Sequence, residues 1–276
     1  MPSRRERSEI IDRRLALKRL ALVTTGLAAG CKLGESPAVP VINDGRLSAR
    51  PTAQTEFPSP GAKPLLIQAF RDGRLYIPPG LTNGVPAPLI LLLHGASGTG
   101  QSMLTALESY ADQVGAVLLC PDSRGVTWDA IQFAYSDDVQ FINTALQLTF
   151  DRCNIDPQRI GIAGFSDGAT YAIALGRING DLFKRMVAFS PGMLLPASDA
   201  YKPPLYLTHG SRDTVLPMEI TSVPIVAELE SRGYDITFRQ FDGGHWMPAA
   251  LVPEAFRWLV SGNLDVTGSS RNQHTV

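Results

Sequence analysis

Between about residue 65 and residue 261, short apolar runs alternate with stretches whose apolar positions recur every three or four residues. Residues 89–93 form an unbroken aliphatic run, and 116–119, 160–163, 186–189, 205–208 and 236–240 continue the series. Runs this short, bounded by turn residues, read as buried strands. Between them, Met103, Leu104, Leu107 and Ala111 fall at helical spacing, as do Val139, Ile142, Ala145, Leu146 and Phe150. Ile225 and Leu229, and residues 254–259, mark two later helices. Ser136 stands where the second helix needs an N-cap. Residues 65–70 and 74–77, joined through Asp72-Gly73, predict a β-hairpin. Strands that alternate with helices predict an α/β architecture, with a mostly parallel sheet covered by helices on both faces. One domain over residues 64–262 accounts for the pattern, and about 200 residues can bury a core without metal or disulfide support.

The two flanks lack this pattern. Residues 32–63 contain Pro37, Pro40, Pro51, Pro58 and Pro60 with little apolar periodicity, which predicts a stiffened linker. Residues 263–276 are polar and predict a flexible tail. Residues 1–19 carry seven Arg and Lys against Glu6, Glu9 and Asp12, and an uncharged stretch then leads to Cys31. A basic head, a short apolar stretch and small residues predict an export signal over 1–31. Residues 12–18 resemble a twin-arginine signal, with Ala16 where Phe is usual. Residues 27–31 resemble a lipoprotein processing site, with Ala28 where Leu is preferred. That likeness implies lipidation of Cys31 and a membrane anchor. The competing reading is an amphipathic N-terminal helix packed on the domain.

The chain carries a net charge of −1, but residues 1–19 contribute +4, so the remainder carries −5. An acidic body without a basic stripe excludes nucleic acid as the expected partner. Cys120 ends one strand and Cys153 precedes another, so they belong at opposite edges of the sheet. Parallel strands run roughly 17–20 Å, beyond the about 7 Å that a disulfide tolerates between Cα atoms. Two free, buried thiols are expected.

The chemistry is concentrated at Gly164-Phe165-Ser166-Asp167-Gly168, after a strand and before a helix. A sharp turn there lifts the serine hydroxyl out of the backbone, and the close approach requires flanking glycines. Such a serine needs a base that exchanges protons near neutral pH, hence a histidine. Of four histidines, His94 and His209 each precede a glycine at a strand end, and His274 lies in the tail. His245, in the glycine-flanked loop after the last strand, is the preferred base. Asp213, after the preceding strand, is the preferred acid to hold its tautomer, with Asp199 and Glu219 as rivals.

Ser166, Asp213 and His245, together with Leu93-His94-Gly95-Ala96-Ser97-Gly98, resemble the α/β-hydrolase superfamily. Within it the likeness is to phospholipase/carboxylesterase-like and polyhydroxybutyrate-depolymerase-like serine esterases. The resemblance implies an oxyanion hole formed by the backbone N–H groups of Ala96 and Asp167, and an acyl-enzyme mechanism. Met103, Trp128, Tyr135 and Trp246 are candidates for a substrate pocket, or equally for the core. Residues 189–205 are too short for a helical lid domain. Nothing calls for a metal or cofactor, and the glycines of residues 95–100 lack the context of a dinucleotide site.

The expected activity is hydrolysis of short-chain or surface-displayed esters, small or polymeric, by a protein exported to the periplasm, anchored there or secreted. A polyester depolymerase or feruloyl-type aryl esterase is the alternative within the class. A non-catalytic ligand-binding lipoprotein and a serine peptidase are the alternatives outside it.

Overall fold

The computed structural model describes residues 44–264. The expected export signal with Cys31, the first part of the expected linker and the expected tail beyond 264 lie outside the described residues. Eight strands form one sheet: β1 (Gly61–Pro64), β2 (Gly73–Ile77), β3 (Ala87–Leu93), β4 (Val117–Pro121), β5 (Ile155–Phe165), β6 (Arg185–Phe189), β7 (Leu205–Gly210) and β8 (Ile236–Phe241). Their spatial order is β1-β2-β4-β3-β5-β6-β7-β8. The β1–β2 and β2–β4 pairs are antiparallel and all the others parallel.

Six α-helices accompany the sheet among the described residues: α1 (Gly100–Val114), the one-turn α2 (Asp129–Gln132), α3 (Asp137–Arg152), α4 (Asp167–Ile178), α5 (Ser222–Ser231) and α6 (Val252–Ser261). Their apolar sides divide the core. One cluster joins alternate strand residues such as Leu89, Leu91 and Leu93 to Val139, Ile142 and Leu146 of α3, Ala172 of α4 and Ile225 of α5. The other joins Ile90 and Leu92 to Met103, Leu104 and Leu107 of α1 and Phe256 and Leu259 of α6. Strand residues point alternately to the two faces, so the unbroken run of β3 is buried throughout. The expected fold class is therefore observed. Cys120 and Cys153 are free and buried, and burial pushes the Cys153 thiol up to about 12.

Three local expectations are corrected. The first strand is β1, residues 61–64, rather than 65–70. The Asp72 carboxylate accepts from the amides of Leu66 (2.7 Å), Ile67 (2.9 Å) and Gln68 (3.2 Å), turning these donors inward, away from a ladder. Leu66 has a positive φ, at +61°, which a strand excludes.

Ser136 occupies the N-cap of α3, but its side chain makes no capping bond. Asp129 Oδ2 instead accepts from Ser136 N (2.7 Å), Ser136 Oγ (3.0 Å) and Asp138 N (3.0 Å). A carboxylate seven residues upstream satisfies the helix start.

The linker expected over 32–63 does not hold for its described part. Leu47 and Ala49 are buried in the main core. Asn143 Oδ1 accepts from Ser48 N (2.7 Å) and Ala49 N (2.9 Å), and Asn179 Oδ1 from Leu47 N (2.8 Å). Arg46 Nη1 pairs with Asp181 at 2.8 Å, and Arg50 pairs with the same carboxylate. Thr52 Oγ1 donates to Phe150 O at 2.8 Å. Asn143 on α3 and Asn179 at the C-cap of α4 thus supply the partners that this irregular backbone needs, and no periodicity in the segment records them.

Candidate active site

The C-terminal ends of four parallel strands converge on one place. Ser166 follows β5, Ala96 lies just beyond β3, and the loops after β7 and β8 carry Asp213 and His245. Crevices at the carboxyl ends of parallel strands are where α/β sheets place ligands.

Ser166 has φ +55° and ψ −122°, an uncommon conformation for a residue with a Cβ, and its hydroxyl does not cap α4. The turn holds because its glycines admit backbone on both sides. A Cβ on Gly164 would lie 2.2 Å from Gly168 O, and one on Gly168 would lie 2.1 Å from Leu93 O. Ser166 N donates to Phe189 O at 2.9 Å, tying the turn to β6.

His245 Nε2 lies 2.9 Å from Ser166 Oγ, and His245 Nδ1 lies 2.6 Å from Asp213 Oδ2. In the neutral tautomer that fits both, Nδ1–H donates to the carboxylate and Nε2 accepts from the hydroxyl. The His245 ring is 4.8 Å from that of Phe165, tilted by 39°. Asp213 Oδ1 accepts from the amides of Val215 (2.9 Å) and Leu216 (2.8 Å). Burial works to raise the Asp213 pKa, but these amides and His245 outweigh it and hold the carboxyl below its ordinary value. The loops meet because Gly210 carries no side chain, where a Cβ would lie 2.4 Å from the carbonyl oxygens of Gly243 and Gly244. Arg212 N donates to Gly243 O at 2.8 Å.

The rivals of Asp213 are elsewhere. Asp199 accepts from Arg177 (2.7 Å), Arg232 (2.8 Å) and Tyr234 Oη (2.7 Å). Glu219 is exposed on a 3-10 turn at Met218–Ile220. His94 shapes its own loop: Nδ1–H donates to Gly95 O at 2.8 Å, and Nε2 accepts from Ser123 N at 2.9 Å. Burial lowers its pKa.

Ala96 is exposed on the turn after β3, and the neighbouring Ser97 N donates to Val126 O at 2.7 Å. Asp167 begins α4, where backbone N–H groups have no helical acceptor and the helix dipole favours negative charge. Thr127 Oγ1 donates to Asp167 Oδ2 at 2.5 Å, which holds that side chain aside.

Two of the four pocket candidates are corrected to core. Trp128 is completely buried, donates from Nε1 to His94 O at 2.8 Å and stacks on Tyr171 at 5.2 Å. Met103 is buried with the apolar face of α1. Their size and apolar character suited either place, and the packing periodicity of α1 decided the methionine. Tyr135 is half-buried and donates to Pro196 O at 2.8 Å. Trp246, beside His245, is 52% exposed. Residues that sequence reasoning missed are Phe165, Thr127 and above all His209, which lies 3.1 Å from Asp213 Oδ2. The His209-Gly210 pair at a strand end was visible, but its contact with Asp213 was not.

A group able to take a proton from a hydroxyl, backed by a buried carboxylate and facing a helix N-terminus, can drive acyl transfer. Among the described residues no cluster of His, Cys, Asp and Glu could hold a metal ion.

The chain has the α/β-hydrolase fold. It superposes on a truncated carbohydrate esterase from gut microbiota with a TM-score of 0.59 at 15% identity, covering 76% of this chain and 97% of that one. A ferulic acid esterase from Anaeromyces mucronatus gives 0.55 at 18% identity, covering 75% of this chain and 92% of that one. In sequence, the chain is 31% identical over 157 residues to a bifunctional acetylxylan esterase/xylanase of Neocallimastix patriciarum, covering 54% of this chain and 22% of the relative. It is 28% identical over 145 residues to feruloyl esterase B of Thermothelomyces thermophilus, covering 49% and 47%. It is 32% identical over 127 residues to a poly(3-hydroxybutyrate) depolymerase of Ralstonia pickettii, covering 38% and 25%. The matches thus span between 22% and 47% of the lengths of these relatives. No family model matches the chain.

Proposed function

We propose that this chain is a serine carboxylic-ester hydrolase that works through an acyl-enzyme. The observation that carries the reading is the continuous link Ser166 Oγ–His245 Nε2 at 2.9 Å and His245 Nδ1–Asp213 Oδ2 at 2.6 Å. Ser166 Oγ attacks the ester carbonyl while His245 takes its proton, and Asp213 stabilises the imidazolium. The N–H groups of Ala96 and Asp167 face the oxyanion. Such donors typically lower the barrier by about 3 kcal/mol each. His245 returns its proton to the leaving alcohol, and a water attacks the acyl group by the reverse route to release the acid.

The named relatives support an ester carried on a polymer, since they include acetylxylan and feruloyl esterases and a poly(3-hydroxybutyrate) depolymerase. Two local features support this too. The β6–β7 connection, residues 190–204, holds neither helix nor strand, and Trp246 offers an exposed ring beside His245. The basic head, the uncharged run and Cys31 support export, with lipid anchoring in a periplasmic setting as the finer form.

The test is a fluorophosphonate probe with mass mapping, alongside turnover of acetyl, feruloyl and hydroxybutyryl esters. Labelling is expected on Ser166, and Ser166→Ala is expected to fold and lose turnover by several orders of magnitude. An active alanine variant refutes the assignment. A wild type that folds but hydrolyses nothing favours the non-catalytic reading.

A further inference from the structure

We propose that His209 is a positioning residue for the Asp213 carboxylate, so that the acid is held by a second histidine as well as by the one it serves. The inference rests on the esterase reading above and adds a residue to it. His209 is completely buried at the end of β7. Ser222 Oγ, at the start of α5, lies 2.6 Å from His209 Nδ1, and Leu216 O lies 2.7 Å from Nε2. A carbonyl can only accept, so Nε2 carries the proton and Nδ1 accepts from the Ser222 hydroxyl. The same Nε2 lies 3.1 Å from Asp213 Oδ2, the oxygen that meets His245.

These contacts close a ring. Leu216 N donates to Asp213 Oδ1, Leu216 O accepts from His209, and the proton edge of His209 faces Asp213 Oδ2. Leu216 O takes the His209 N–H at 2.7 Å and the same ring edge lies 3.1 Å from Oδ2, so the carboxylate has a neighbour at each oxygen. The ionisable groups beside His209 are Asp213 and His245, while α5 faces it with the Ser222 hydroxyl. Burial lowers the His209 pKa against the opposing pull of Leu216 O and Asp213, which keeps the ring neutral with its single proton on Nε2. A neutral donor orients the carboxylate without cancelling its charge.

The experiment compares kcat, KM and the acid limb of the kcat/KM–pH profile for wild type, His209→Phe, His209→Gln and Ser222→Ala, with melting temperatures. Fluorophosphonate labelling of wild-type Ser166 is measured first. If the wild type is neither labelled nor active, the esterase reading has failed, whatever His209 does. With an active wild type, His209→Phe is expected to lower kcat about tenfold, the scale of one hydrogen bond to a charged group, with KM little changed. Its acid limb is expected to move to higher pH, because the Asp213 carboxylate no longer has the His209 ring edge beside Oδ2. His209→Gln, which retains a donor, recovers most of both effects. Should His209→Phe fail to fold, Ser222→Ala keeps the ring but frees its tautomer, and a smaller shift of the limb in the same direction is expected. An unmoved limb in Ser222→Ala and in every folded His209 variant overturns the proposal. So does equal loss in Phe and Gln that tracks the melting temperature alone.

Discussion

Asp213 turns one oxygen to His245, with Oδ2 2.6 Å from Nδ1, and commits the other to the amides of Val215 and Leu216. The carboxylate thus stays ionised and has one orientation to offer. Asp213→Asn is expected to leave the fold intact and lower kcat about 10⁴-fold, since an amide in that place favours the wrong imidazole tautomer. Steady-state kinetics on an aryl ester check this. Near-normal turnover would remove Asp213 from the proposed mechanism.

The serine turn depends on absent side chains. A Cβ on Gly168 would lie 2.1 Å from Leu93 O, so α4 would have to back away from β3 and carry Ser166 and Asp167 with it. Gly168→Ala is expected to abolish fluorophosphonate labelling. Where protein remains soluble, it should melt at a temperature lowered by the equivalent of roughly 1–3 kcal/mol. A labelled, active Gly168→Ala protein would show that the turn tolerates more than its geometry allows.

The segment from residue 44 to β1 is part of the folded body. A chain beginning at Asp44 retains Leu47, Ala49 and the Arg46 and Arg50 pairs with Asp181, whereas one beginning at Gly61 loses them. Burying Leu47 alone contributes about 1.5–3 kcal/mol. The chain that begins at Asp44 is expected to keep wild-type stability and the one that begins at Gly61 to melt several degrees lower, as measured by calorimetry. Equal melting temperatures would return residues 44–60 to the role of a spacer.

Acid should loosen the same tether. Hydrogen bonds from Arg46 lead the effects that hold the Asp181 carboxyl down to about 2, against an unfolded value of about 3.9. A depressed folded pKa contributes stability that is complete above the unfolded value and is lost as pH falls from about 4 toward 2. Urea unfolding across that window should show a steeper decline for wild type than for Asp181→Asn. Parallel slopes would mean that the pair adds nothing measurable, as with many exposed ion pairs.

The sequence by itself determined the alternation of strands and helices, the burial of β3 on both faces, the serine turn with its required glycines, and the chain order of Ser166, Asp213 and His245. Each of these is carried by near neighbours: an apolar run, a 3.6-residue spacing, a glycine where backbone crowds backbone. The tertiary structure decided what depends on partners far away in sequence. Asp213, Asp199 and Glu219 looked alike as loop acids until the close approach at Gly210 brought one beside His245 and a buried Arg177 claimed another. Trp128 and Met103 suited a pocket until Tyr171 and the face of α1 enclosed them. Residues 44–60 read as linker because their contacts are backbone amides on Asn143 and Asn179, about a hundred residues away or more. Hydrophobic patterning reports that a side chain is buried. It does not report against what, because hydrogen-bond and charge partners are chosen by the chain's path in space.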